Sequence, residues 1–319
     1  MTDKITQRID AMKTQTIGVE IEMADINRRK AIGILAEHFG HPTAYVHSGG
    51  SYDTYMTTDQ QGRVWTISRD SSIIARNQFE KAELATPILH YEDIDDLQQI
   101  VRELRKAGAV SDPRHGCGVH IHIGADGHTA ASLRNLANIM AAHETILTDA
   151  LDIACQRRHT FCQPVDPEFL RAVNARKPET MNELADIWYT SQHANGARSA
   201  HYNPSRYHML NLHATFTKGT VEFRLFQFDN LTRDENGKKH GGMHAGALKA
   251  YIQLCLMLSQ AAKDAKSASP KEPQVENPKY AMRTWLLRLG FIGDEFKTAR
   301  DILTRRLAGD AAFRHGRAA

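Results

Sequence analysis

QTIGVEIEM, residues Gln15 to Met23, alternates between apolar and polar positions. Ile17, Val19, Ile21 and Met23 fall on one side of an extended chain, and Gly18, Glu20 and Glu22 on the other. That is the two-residue period of a β-strand with one covered face. Carboxylates on one strand face repel and raise each other's pKa unless a cation lies between them. Hard divalent cations such as Mg²⁺ and Mn²⁺ take carboxylate oxygens. The alternative at this point is a solvated face with unconnected glutamates. Three further stretches bear on the choice.

Phe79 to Ala85 reads as a strand carrying Glu83, ended by Thr86-Pro87 because proline restricts the residue before it. Gly116 to Gly124, GCGVHIHIG, sets Val119, Ile121 and Ile123 against His120 and His122. Thr220 to Phe228, TVEFRLFQF, sets Val221, Phe223 and Leu225 against Glu222 and Arg224. Positions i and i+2 on a strand are about 6.5–7 Å apart and neighbouring strands about 4.8 Å apart. Strands of one sheet can therefore gather such groups around metal ions. Carboxylates outnumber histidines and no cysteine joins them, which suits Mg²⁺ or Mn²⁺ better than Zn²⁺. Arg224 beside Glu222 suggests an anion held against the metals, phosphate foremost. Metal, phosphate and arginine together are the layout of phosphoryl transfer. Taken singly, His-x-His reads equally as hydrogen-bonded strand residues, and Glu-x-Arg as a cross-strand ion pair. Four such strands in one chain argue for a site.

The 319 residues are 41% hydrophobic and 24% charged, the composition of a soluble globular protein. A net charge of +3 is too weakly basic to argue for nucleic acid. The four cysteines form no CxxC pair and fit a reducing cytosol. The stretch MTDKITQRIDAMKTQ lacks the apolar core of a signal peptide, and no apolar run is long enough for a membrane span. A cytoplasmic protein is expected.

Around the strands, helices are expected after Asn27, over Tyr91–Ala107, over Thr129–Ile153 and over His244–Ala262. Tyr207–Phe216 reads as a strand joined to the next by a Thr217-Lys218-Gly219 turn, and 232–242 as a charged loop. Arg28-Arg29-Lys30 and Arg157-Arg158 read as solvated faces. The expected organisation is a lead-in at 1–14 and a main domain at 15–262, in which 156–204 is an insertion or lid. A linker at 263–278 and a helical extension at 279–319 complete it.

GVEIEM, AELATP, CGVHIHIG and VEFRLF, in this order over about residues 16 to 230, resemble the motif set of the amidoligases. These are the carboxylate–amine ligase branch of the glutamine synthetase and glutamate–cysteine ligase superfamily. RYHMLNL, Arg206 to Leu212, is similar to the Tyr/Asn strand that precedes the family's Glu-x-Arg strand. The resemblance implies an α+β fold: an antiparallel β-sheet funnel of the glutamine synthetase catalytic type, with helices packed on its outer face. It implies ATP, several Mg²⁺ or Mn²⁺ ions, and an acyl phosphate that an amine attacks.

By position, the resemblance implies that Glu20 and Glu22 divide between metal sites and that Glu83 ligates the metal nearer the acceptor substrate. His120 and Glu222 would hold the metal that touches the γ-phosphate, Arg224 the transferring phosphate, and His122 would lie near the nucleotide. Glu22, Glu222 and Arg224 are thus the expected catalytic residues, and His122, Arg206 and Arg224 the expected ATP contacts. Asp70 resembles an Asp-x-Ser segment close to substrate, and Asn211 is implied as a substrate contact. The further acidic ligand of the glutamine synthetases has no counterpart in Thr86-Pro87-Ile88, and their ammonia-site features are not recognisable. The substrates expected are a small-molecule or peptide carboxylate and an amine other than free ammonia. No nucleic acid or membrane partner is expected.

Two other functions compete. A His-hydrophobe-His metal nuclease acting on single-stranded DNA would use Tyr189, Tyr202 or Tyr207 as nucleophile, and it leaves Glu20, Glu22, Glu83 and Glu222/Arg224 unexplained. A non-catalytic nucleotide- or peptide-binding relative would have little use for so full a ligand set.

Overall fold

The alternation of Ile17–Met23 is kept as strand β1, with Ile17, Val19, Ile21 and Met23 all buried. The computed structural model describes residues 2–237 and 239–314. Met1, at the head of the expected lead-in, and residues 315–319 of the expected extension lie outside them. Further strands are β2 (Tyr45–Gly49), β3 (Thr54–Thr58), β4 (Val64–Ser68), β5 (Ala82–Ala85) and β6 (Val119–Gly124). After them come β7 (Leu210–Asn211), β8 (Thr220–Phe226), β9 (Asp229–Arg233) and β10 (Lys239–Gly242). The helices are α1 (Thr2–Lys13), α2 (Arg28–His38), α3 (Ile94–Lys106), α4 (Ala130–Leu151), α5 (Cys155–Thr160) and α6 (Pro167–Arg176). They continue with α7 (Met181–Ser191), α8 (His213–Lys218), α9 (Ala245–Asp264), α10 (Pro278–Leu289) and α11 (Lys297–Thr304). The fold is α+β, with a large antiparallel sheet. No helix among the described residues is long and apolar enough to cross a membrane.

The chain divides into two compact units. A strand-rich unit comprises Thr16–Ile121 and Phe226–Lys249, and a helical unit comprises Met1–Gln15, His122–Leu225 and Ala250–Ala319.

In the strand-rich unit the sheet order is β2-β3-β4-β5-β1-β6. The pairs β2/β3, β3/β4, β4/β5 and β5/β1 are antiparallel. Register makes Ile67, Leu84 and Ile21 neighbours across β4, β5 and β1, and all are fully buried. Helix α2 packs on β2, β3, β4 and α3. Helix α3 buries Ile94, Leu97, Ile100, Val101 and Leu104, the stripe that its 3.6-residue period predicts. Since neighbours in register share a face, the next row, Ser68, Glu83 and Glu22, lies on the opposite side of the sheet. Strand β2 is an edge strand, and a bulge between His47 and Gly49 interrupts its pairing with β3.

The helical unit holds β7 paired with β8, and the end of β6 beside β8. Helix α4 opens with a capping box between Thr129 and Ser132 and buries Leu133, Leu136, Met140 and Leu147. Residues 265–277, beyond α9, form no helix or strand, yet they are tied to α4. Asn135 Nδ2 donates to the Ala265 carbonyl at 2.7 Å, and Asn138 Nδ2 to that of Ala268 at 2.9 Å.

Three local expectations are corrected. Tyr207–Phe216 is not one strand. Only Leu210–Asn211 pairs with β8, and His213–Lys218 turns into helix α8, closed by Gly219 at φ +70°. The Asn211 side chain accepts from the His213 amide at 2.9 Å, which starts that turn. Strands β9 (Asp229–Arg233) and β10 (Lys239–Gly242) pair antiparallel where 232–242 was expected to be a loop, Lys238 lying outside the described residues. Strand β3 was also unread. It follows a reversal in which Gly49, Gly50 and Asp53 all take positive φ, a bend that two glycines make accessible.

Candidate functional site

The expected residues are shared between the two units, and within each unit several of them meet. The unit boundary falls inside β6, so His120 belongs to the strand-rich unit and His122 to the helical unit.

In the strand-rich unit, Glu22 on β1 stands directly opposite Glu83 on β5. Like charges so placed are destabilising. Glu22 is buried, and its Oε2 accepts from the Gly118 amide at 2.6 Å while its own amide donates to the Gly118 carbonyl at 3.1 Å. Asp70 follows β4, and its Oδ1 accepts from the amide and hydroxyl of Ser72, each at 2.6 Å. One carboxylate oxygen from each of Glu22, Asp70 and Glu83 lies within 4.8 Å of the others. Ligands on opposite sides of a Mg²⁺ ion stand about 4.0–4.2 Å apart and those of a Ca²⁺ ion about 4.6–5.2 Å, so this all-oxygen set fits a hard divalent cation. His120 is buried, with Nδ1 3.2 Å from Glu20 Oε2 and Nε2 3.8 Å from Glu22 Oε1. Glu22 thus links the Glu20–His120 contact to the Asp70–Glu83 group.

In the helical unit, Glu222 is buried and clamped at both oxygens. Arg224 Nη1 donates to Oε1 at 2.5 Å, and Asn211 Nδ2 to Oε2 at 2.6 Å. Asn211 is the cross-strand partner of Glu222, so register sets this contact. His122 Nε2 is 3.9 Å from Glu222 Oε1, and its Nδ1 is 3.0 Å from Thr220 Oγ1. Arg224 is itself buried, and its Nε donates to the Phe161 carbonyl at 3.3 Å. Its guanidinium and that of Arg206 each lie 5.8 Å from the Tyr207 ring centre, within cation–π range.

The reading of the arginine runs as solvated faces is corrected at Arg28 and Arg157, both of which are buried. Arg28 donates to the carbonyls of Gln78 and Lys81 at 2.8 and 2.7 Å, just before the strand that carries Glu83. Arg157 Nη2 donates to the Arg224 carbonyl at 3.1 Å. Burial pushes the Cys162 thiol above its ordinary value, against the pull of Arg157, Arg224 and Arg158. Nothing in the run CQRRHT distinguishes Arg157 from its neighbour before the helix is placed. Asp70 was read as a substrate neighbour, and here it joins the carboxylates of Glu22 and Glu83.

A family described as "putative amidoligase enzyme" matches residues 13–259. No curated protein matches the chain. Among solved structures, a bifunctional glutathione synthetase from Pasteurella multocida is similar over 96% of this chain and 49% of its own, at 13% identity and a TM-score of 0.42. The chain spans about half the length of that protein.

Proposed function

The chain belongs to the amidoligase family, and from that premise we propose that it is an ATP-dependent carboxylate–amine ligase acting through an acyl phosphate. The observation that carries the reading is the opposition of Glu22 and Glu83 with Asp70 beside them. Opposed carboxylates on adjoining strands repel, and a shared cation removes that cost.

In this reading Glu22, Glu83 and Asp70 would hold a Mg²⁺ or Mn²⁺ ion, with Glu20, His120 and Glu222 serving the other metal positions of the family. Such ions would supply neutralisation of phosphate charge. A substrate carboxylate attacks the γ-phosphorus of ATP and ADP leaves. The amine then attacks the acyl carbon, inorganic phosphate leaves, and an amide remains. Arg224 offsets the charge on the transferring phosphoryl group. Its guanidinium stays charged at any working pH and is fixed by Glu222 and the Phe161 carbonyl. His122 and Arg206 serve the nucleotide. Positioning and charge neutralisation then supply most of the rate. The sheet would form the funnel of the glutamine synthetase type. The nuclease reading gains nothing from Tyr189, which is buried and hydrogen-bonded to His213.

The test is ATP turnover in Mg²⁺ or Mn²⁺ across pairs of amino acids, peptides and amines, with Glu22→Gln and Arg224→Lys as controls. We expect ADP and phosphate release that requires both a carboxylate and an amine and is lost in both variants. ATP neither bound nor hydrolysed under any pairing would end the ligase reading.

A further inference from the structure

Asn211 holds Glu222 more closely than a substrate contact would need to. Its side chain is buried and both amide atoms are engaged by the protein. Oδ1 accepts from the His213 amide at 2.9 Å. A backbone N–H can only donate, so the oxygen of Asn211 faces His213 and the NH₂ group faces Glu222 Oε2, 2.6 Å away. The orientation of the amide, which heavy atoms alone leave ambiguous, is thereby fixed.

The anchor behind it is fixed as well. His213 Nε2 lies 3.1 Å from the Ala200 carbonyl, which can only accept, so Nε2 carries the hydrogen. Its Nδ1 lies 2.6 Å from the Tyr189 hydroxyl, which is also 3.3 Å from the Arg198 carbonyl. Tyr189 is buried in α7 and packs edge-on against His213 and obliquely against Phe216. Helix α7 therefore pins the first turn of α8, that turn pins Asn211, and Asn211 pins one oxygen of Glu222. The other oxygen is left to Arg224.

We infer that Asn211 is a positioning residue that fixes the Glu222 carboxylate against Arg224, and that the Tyr189–His213 pair is its anchor. Substrate does not bind to Asn211. The catalytic consequence rests on the ligase reading; the side-chain coupling does not.

Two measurements separate these. The first needs no substrate: thermal midpoints of Asn211→Ala, Glu222→Gln and the double variant. We expect the double variant to lose less than the two single losses added together, as for groups in direct contact. Additive losses would overturn the inference. The second is steady-state kinetics of Asn211→Ala. We expect kcat to fall about 10- to 100-fold, as for groups that orient a ligand residue, with KM for ATP and both substrates within about twofold. Tyr189→Phe should show the same pattern with a smaller drop. A KM raised tenfold or more for one substrate with kcat kept, or an unchanged kcat, would overturn the inference and return Asn211 to substrate binding. If the wild type turns over no ATP with any pair, the ligase reading fails, and the coupling measurement still decides whether Asn211 holds Glu222.

Discussion

Glu22 and Glu83 are direct cross-strand partners, and Glu83 is paired on its other side with Ser68. Opposed carboxylates cost a fraction of a kcal/mol up to about 1 kcal/mol in the bare protein. Glu83→Gln should therefore leave the metal-free protein as stable as the wild type or slightly more so. Adding Mn²⁺ should raise the thermal midpoint of the wild type clearly and that of the variant much less. Differential scanning fluorimetry in EDTA and in Mn²⁺ reads both. Equal shifts in the two proteins would remove Glu83 from the cation site.

Arg224 and Glu222 form a buried pair, and breaking such a pair from one side leaves an uncompensated charge. Arg224→Ala should destabilise the fold by about 3–5 kcal/mol. Adding Glu222→Ala should restore part of that loss, because the orphaned carboxylate disappears with it. Urea unfolding of the three variants checks the order. A double variant weaker than Arg224→Ala by the full cost of Glu222→Ala would contradict it.

Glu144 on α4 is nearly buried, and burial pushes its carboxyl up to about 7, although the Val165 amide donates to it at 2.7 Å. An acid whose folded pKa lies above its unfolded one destabilises the fold as it ionises. The cost is absent below about pH 4, grows as pH rises towards the folded pKa, and is complete above it. Glu144→Gln should thus be the more stable protein at pH 8, by on the order of 2 kcal/mol over its advantage at pH 5. Chemical denaturation at the two pH values measures this, and an advantage that shrinks with rising pH would reverse the sign.

Asp112 behaves in the opposite way. Burial alone would raise its carboxyl, but hydrogen bonds from His115, the Leu231 amide and Arg114 outweigh burial and leave it below the usual carboxylate range. Its side chain is fully buried, and it ties the approach to β6 to the β9 strand through His115 Nδ1 at 2.7 Å and the Leu231 amide at 3.2 Å. A depressed carboxyl stabilises the fold above its unfolded pKa, near 4, and that contribution is lost as pH falls through the folded value. Asp112→Ala should cost about 2–4 kcal/mol at pH 7, and the gap from wild type should narrow below pH 4. A gap independent of pH would mean that packing alone accounts for it.

Much of this was legible in the chain itself. The two-residue alternations of Ile17–Met23, Val119–Gly124 and Thr220–Phe226 became strands with the expected apolar faces covered. The apolar stripes of α3, α4 and α9 became buried helix faces. Alternation tells which face a side chain takes, but not which strand will lie beside it. The opposition of Glu22 and Glu83 depends on β5 returning antiparallel to β1 in one particular register. The arrival of Asp70 depends on the loop that leaves β4. Helix α8 was missed because HATFTK has no apolar period of its own; what starts it is the side chain of Asn211. Arg157 was misread because burial of a charge is a property of the packed state and not of the run that contains it.

The bulge at the edge of the sheet has a consequence for self-association. An edge strand offers its unpaired amides and carbonyls to any extended segment that meets it. In β2 regular pairing runs only over Tyr45, Val46 and His47 before the register shifts at Gly49. A strand from another molecule laid along β2 would find a ladder of that length and then a chain already bending away. With exposed Val46 as the main apolar anchor on that strand, growth of the sheet by strand addition meets a short and poorly gripping template.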